Sequence, residues 1–184
     1  MDDIKNNVTV SETILTTLPL FLCNDDGRLP SFAQISGNWD ELMGLVEQRK
    51  FFYSRLYKNR VTYLSERLYW CVKPYKQRLD RVSPKARELF EFIDGFGEIT
   101  TSEIKNALML SSKDFSKCIN ELAKELLVTA VAKEREINNN WSSFYWGTYR
   151  LWERTARKYE PDEGEAYAIL EEMFSDREIK GMLK

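Results

Sequence analysis

The chain has 184 residues, a formal net charge of −2, a pI near 5.5, and 43% apolar and 13% aromatic side chains. Such a composition can bury a core and excludes a disordered chain, and no run reaches the ~20 apolar residues of a membrane span. Histidine is absent and Cys23, Cys71 and Cys118 lie far apart, which excludes the common zinc sites, a disulfide framework and Ser-His or Cys-His catalytic pairs.

Residues 1–37 read as an N-terminal segment. It holds a short helix or apolar piece at about 12–22 and then a loop marked by Asn24-Asp25-Asp26-Gly27, Leu29-Pro30 and Ser36-Gly37. The apolar run 14–23 is interrupted by Pro19 and lacks a basic start and a cleavage site, so no secretion signal is read and a cytoplasmic protein is expected. Residues 38–82 read as a helical basic and aromatic region. Asn38 followed by Glu41 caps a helix over 39–49. Two further helices, breaking near 59–62, are predicted over 50–73, and Pro74 ends the second.

Residues 83–150 read as a winged helix-turn-helix. Ser83-Pro84 opens a helix carrying Ala86, Leu89, Phe90 and Ile93 at helical spacing, and Gly95 and Gly97 stop it. After a short extended piece, Thr100 to Glu103 is a capping box for a second helix. Ser111 or Ser112 caps a third, with Phe115, Ile119, Leu122 and Leu126 on its buried face. Residues 127–132 and 143–149 are strands flanking a polar tip, Asn138-Asn139-Asn140. Residues 151–184 read as C-terminal helices packing on this unit, among them an acidic amphipathic helix at 162–174 and a short one capped by Ser175 and Glu178. The expected class is mainly α (α+β), with the winged helix-turn-helix carrying extra helices at each end.

Charge is unevenly spread. Residues 49–92 hold twelve Lys/Arg against four Asp/Glu, a net of +8, and the rest holds 15 against 25, a net of −10. Segregation of this kind can place a basic face on an acidic protein, and DNA binding depends on the face. The third helix would turn Lys113, Ser116, Lys117, Asn120 and Lys124 outward, the lysines toward phosphates and Asn120 toward an adenine edge. Asp114, Glu121 and Glu125 share that helix and would repel phosphate. Lys133 and Arg135 on the wing, and Arg55, Lys58 and Arg60 in the basic region, complete the candidate nucleic-acid-binding set. No Gly-rich phosphate loop or paired-carboxylate motif occurs, so no catalytic residue, metal or cofactor is assigned. Cys71 and Cys118 lie among apolar helix residues and read as buried, inert thiols.

Three motifs carry a family resemblance: 52–57 (Phe-Tyr-Ser-Arg-Leu-Tyr), 63–69 (Tyr-Leu-Ser-Glu-Arg-Leu-Tyr) and the helix opening 83–87 (Ser-Pro-Lys-Ala-Arg). With Thr100 to Ile104, the helix of Phe115 and Leu122, and the tryptophan-rich stretch from Trp141 to Trp152, the order of parts resembles the AlkZ/YcaQ-like winged-helix proteins. These are DNA glycosylases and their shorter relatives. Their catalytic pair, two glutamines or His and Gln separated by one residue, has no counterpart among Gln34, Gln48 and Gln77. The resemblance therefore implies a non-catalytic, DNA-binding relative, a regulator or a repair-associated protein. The alternatives are a protein-interaction or oligomerisation module, with a partner or second copy bound through 162–183, and a glycosylase-like enzyme.

Overall fold

In the computed structural model, which describes residues 17–35, 39–138, 141–162 and 164–184, three short strands form an antiparallel sheet in the order β1-β3-β2. They are β1 (Leu20–Leu22), β2 (Phe51–Ser54) and β3 (Thr62–Ser65). Leu20 pairs with Leu64, and Phe51 through Ser54 pair with Ser65 through Thr62. Successive side chains of a strand point to opposite faces. Here both faces are covered, so Phe21, Phe51, Tyr53 and Tyr63 enter one core while Leu20, Leu22, Phe52 and Leu64 enter another.

This sheet corrects two expectations. The stretch 50–73 is strand, turn, strand and then one short helix, not two helices. A hairpin buried on both faces is a continuous run of aromatic and β-branched residues, without the apolar–polar alternation of a half-exposed strand. The apolar piece expected at about 12–22 ends in strand β1, and its residues before 17 lie outside the described set. Over the described residues the chain is α+β, with nine helices and two three-stranded antiparallel sheets.

Between β1 and β2 lie α1 (Phe32–Ile35) and α2 (Trp39–Glu47). Ser65 caps α3 (Glu66–Val72) by accepting the Leu68 N–H. Two 3-10 turns lead to α4 (Pro84–Phe96), which Ser83 caps and Gly97 ends at φ 87°. Then follow β4 (Ile99–Thr100), α5 (Thr101–Ala107), α6 (Ser112–Lys124), β5 (Val128–Asn138) and β6 (Trp141–Thr148). The second sheet has the order β4-β6-β5. The capping box of Thr100 and Glu103 is formed at the start of α5. Of the expected polar tip, Asn139 and Asn140 lie outside the described residues.

The expectation of a winged helix-turn-helix carrying helical additions is corrected as well. What joins residues 83–150 is the first sheet. The Tyr53 N–H donates to Thr129 Oγ1 at 2.8 Å, the Arg55 N–H donates to the Ala123 carbonyl at 3.3 Å, and Arg49 donates to the Val131 carbonyl. The core on one face of the sheet contains Val46, Leu89, Phe90, Ile119, Leu122 and Trp146 together. The expected all-helical region at 38–82 is therefore helix α2, the β2–β3 hairpin and helix α3, with the hairpin bonded into residues 83–150.

The chain closes with α7 (Tyr149–Glu153), α8 (Glu165–Glu171) and α9 (Asp176–Leu183), the last opened by a Ser175–Glu178 capping box. Ala166, Leu170, Phe174, Ile179 and Met182 enter the second core around Trp152 and Tyr69. The apolar side of the acidic C-terminal region thus packs inward.

Tight packing is clearest where β6 meets α7. A Cβ at Gly147 would stand 2.7 Å from Leu151 Cδ2 and 2.9 Å from Val131 Cγ1. Both contacts are far below van der Waals distance, and the branched Val131 side chain has little freedom to yield. Gly147→Ala is expected to destabilise the fold by about 1–3 kcal/mol, read as a lower urea midpoint at unchanged slope.

Candidate nucleic-acid interface

Helix α6 buries Phe115, Cys118, Ile119, Leu122 and Ala123 along one stripe. That spacing leaves Lys113, Ser116, Lys117 and Lys124 exposed, with Asn120 partly covered. Ser111 sets the start of the helix by accepting the Asp114 N–H at 3.1 Å.

The three carboxylates of this segment are each engaged. Asp114 accepts the Ser111 hydroxyl and pairs with Lys85 at 3.2 Å, contacts that hold its carboxyl below the usual range, the hydroxyl contributing most. Glu121 accepts the Ser83 N–H at 2.9 Å. Glu125 is buried, with Lys76 and Arg81 each at 3.8 Å. Lys76 itself is 3% exposed, and burial lowers its pKa against the opposing pull of Glu125. Among the described residues Lys113, Lys117 and Lys124 form no ion pair. Asp114 and Glu125 each have a cation within 4 Å, so the repulsion expected from the acidic residues of this segment is reduced locally.

The +8 segment behaves differently. Ten of its twelve basic residues pair with carboxylates. Most of those partners come from outside the segment: Arg49 with Glu98, Arg67 with Glu165 and Lys73 with Glu153 are examples. Arg60 pairs with Asp26 and donates to the carbonyls of Asn24 and Asp25. Arg55 donates to the Asn59 carbonyl at 3.0 Å. On β5, Lys133 pairs with Asp40 of α2, while Arg135 is exposed.

Two of the sequence-predicted residues from distant segments meet. Lys58 and Lys124 line one groove of 330 Å³, together with Leu56, Tyr57, Asn59 and Glu178. Lys58 sits 4.8 Å from the Tyr57 ring centroid and 3.8 Å from Glu178. Arg28 holds Glu178 at 2.7 Å and donates to the Tyr57 hydroxyl at 3.0 Å. Neither Arg28 nor Glu178 was a sequence candidate. They are 150 positions apart, and no local spacing announces such a pair.

The Arg28 bond, aided by the N–H and hydroxyl of Ser175, pulls the Glu178 carboxyl down to about 2 from its ordinary 4.5. A carboxyl depressed in the folded state stabilises above its unfolded pKa and loses that contribution as pH falls through the folded one. Glu178→Gln is expected to be less stable than the parent at neutral pH, with the gap closing between about pH 4.5 and 2. Urea titrations at stepped pH would read it.

Beside the second core one polar cluster is bonded internally. Gln77 donates to the Tyr69 hydroxyl at 2.8 Å, Tyr69 donates to Glu153, and Lys73 reaches the same carboxylate at 2.7 Å. Gln34 donates to Asp25, and Gln48 is exposed. Burial raises all three thiols, Cys71 to about 11 with help from Glu165, so none is a ready thiolate. Among the described residues no group of three or more Cys, Asp or Glu is placed to hold a metal, and no helix is long and apolar enough to cross a membrane.

The family described as AlkZ related matches residues 36–180, from the start of α2 into α9. The chain belongs to that family, and is accordingly a relative of DNA glycosylases. No curated protein and no solved structure matches it.

Proposed function

We propose that this protein binds duplex DNA through the outward side of α6, and that it acts as a DNA-binding relative of the glycosylases without a base-excision step of its own. Lys113, Lys117 and Lys124 neutralise backbone phosphates, and Arg135 adds a further contact from β5. Ser116 and Asn120 lie between the lysines and meet phosphate or base edges. Arg60 and Lys133 have structural roles in this reading, because each is tied to an aspartate. Residues 83–150 supply the DNA-facing part, and residues 38–82 buttress it.

One observation carries the reading: each carboxylate of the α6 segment lies against a cation or a hydrogen-bond donor (Lys85 at 3.2 Å from Asp114, the Ser83 N–H at 2.9 Å from Glu121, Lys76 at 3.8 Å from Glu125), while among the described residues the three lysines of α6 form no ion pair. A cation already paired with a carboxylate must break that pair to reach a phosphate, so the free lysines dominate attraction at the surface. The family membership supports nucleic acid as the polyanion. Fluorescence anisotropy with a labelled random-sequence duplex tests it. Binding is expected at low salt, weakening as counterion release becomes less favourable. Undetectable binding at low salt would contradict it.

A further inference from the structure

We propose that the groove between the β2–β3 turn and the end of α6 is a phosphate-binding subsite, formed by Lys58, Asn59 and Lys124. The proposal deepens the reading above and rests on it for the source of the phosphate, a DNA backbone group as opposed to a free ion.

Space and charge both favour an anion. At 330 Å³ the groove has room for a phosphate and part of its hydration shell, since a liquid water takes about 30 Å³. Its lining holds two ammonium groups and one carboxylate, Glu178. That carboxylate is already matched. Arg28 donates to both of its oxygens, at 2.7 and 3.4 Å, and the Ser175 N–H and hydroxyl donate at 3.1 and 2.9 Å. With Arg28 cancelling Glu178, Lys58 and Lys124 leave the groove net positive. Both are solvent-exposed, Lys58 by 59% of its side chain.

The backbone holds this arrangement against its own preference. Lys58 and Asn59 both adopt left-handed conformations, at φ 46° and 56°. Asn tolerates that region, whereas Lys is uncommon there. The turn is held by the Arg60 N–H donating to the Tyr57 carbonyl at 2.8 Å and by Arg55 donating to the Asn59 carbonyl.

A helix C-terminus is ordinarily a poor neighbour for an anion, because its free carbonyls carry partial negative charge. Near the end of α6 several carbonyls accept donors from beyond the helix. Ala123 accepts from the Arg55 and Leu126 N–H groups, Leu122 from Leu127, and Glu125 from Gln77. In the bound state the two lysines act as point charges, and the Asn59 amide donates a hydrogen bond to a phosphate oxygen.

Amide NMR of the ¹⁵N-labelled full chain tests this in two arms. Inorganic phosphate is expected to shift the Lys58, Asn59 and Lys124 amides saturably, while sodium chloride at matched ionic strength does not. A short random-sequence duplex is expected to shift the same amides together with those of Lys113 and Lys117. The double variant Lys58→Gln/Lys124→Gln should lose the phosphate response and lower the salt slope of duplex binding by about 1, for the one phosphate contact removed. The subsite is overturned if phosphate leaves these amides unmoved, if chloride moves them equally, or if the double variant responds like the parent. A duplex that shifts Lys113 and Lys117 but leaves Lys58 and Asn59 still also overturns it, and spares the DNA reading. Phosphate shifting the groove while a duplex shifts nothing supports the subsite with a free phosphate as ligand, and removes the DNA reading instead.

Discussion

Lys117→Glu is expected to weaken duplex binding by about a hundredfold, roughly 3 kcal/mol, while leaving the fold intact. Two effects add. The substitution removes an ammonium that has no carboxylate partner in the free protein, so nothing is relieved by its loss. It also sets a carboxylate against phosphate, and like-charge contact across an interface costs several kcal/mol. Lys117 is exposed on α6 and lies opposite the stripe of Phe115, Ile119 and Leu122, so packing is untouched. The paired residue Lys85 is the informative control. Its reversal releases Asp114, 3.2 Å away, and should act mainly on stability and only weakly on binding. Anisotropy titrations of the two variants, alongside circular dichroism to verify folding, give the comparison directly. Equal losses from Lys85→Glu and Lys117→Glu would show that pairing state does not select the contact residues.

Trp152→Ala is expected to cost about 3–5 kcal/mol of stability. Trp152 is fully buried at the centre of the second core, with ring centroids 5.3 Å from Phe52 and 4.5 Å from Tyr69. Its indole N–H donates to the Phe51 carbonyl at 3.2 Å. Removing it opens a large void between the first sheet and the C-terminal helices, and takes a partner from a strand carbonyl. Against a total stability of about 5–15 kcal/mol for a domain, the loss should lower the Tm by about 10 °C or more. Met109 is 92% exposed, and Met109→Ala should stay within about 0.5 kcal/mol of the parent. Calorimetry of both variants separates core packing from apolar surface as such. A Trp152→Ala Tm within a few degrees of the parent would contradict the position of this side chain.

Helices α4, α5 and α6 were legible because their signals are local. Ser83-Pro84, the Thr100–Glu103 box and Ser111 are all read within four residues, and the apolar spacing that follows each is that of a helix buried on one side. The β2–β3 hairpin was not legible as strand. Phe51 and Tyr53 serve one core and Phe52 the other, so the pattern that distinguishes strand from helix is erased by burial on both sides. The turn between the two strands runs over 55–61, so the break expected at 59–62 covers only its second half and the first residue of β3.

The outward set of α6 followed from the same periodicity. What sequence could not provide was the pairing state of each charge. The net +8 of residues 49–92 is answered by carboxylates such as Glu165, 98 positions beyond Arg67, and Glu153, 80 beyond Lys73. Only the fold decides which cations are left over. By the same route a lysine from the β2–β3 turn and one from α6 come to line one groove, 66 positions apart in sequence.

The salt dependence of duplex affinity tests this leftover-charge account most directly. Contacts from Lys113, Lys117, Lys124 and Arg135, with or without Lys58, predict a slope of log K against log salt of about −3 to −5. A slope of about −9 or steeper would mean that the paired cations of 49–92 abandon their carboxylates and reach the DNA, and a slope near zero would mean that α6 makes no phosphate contact at all.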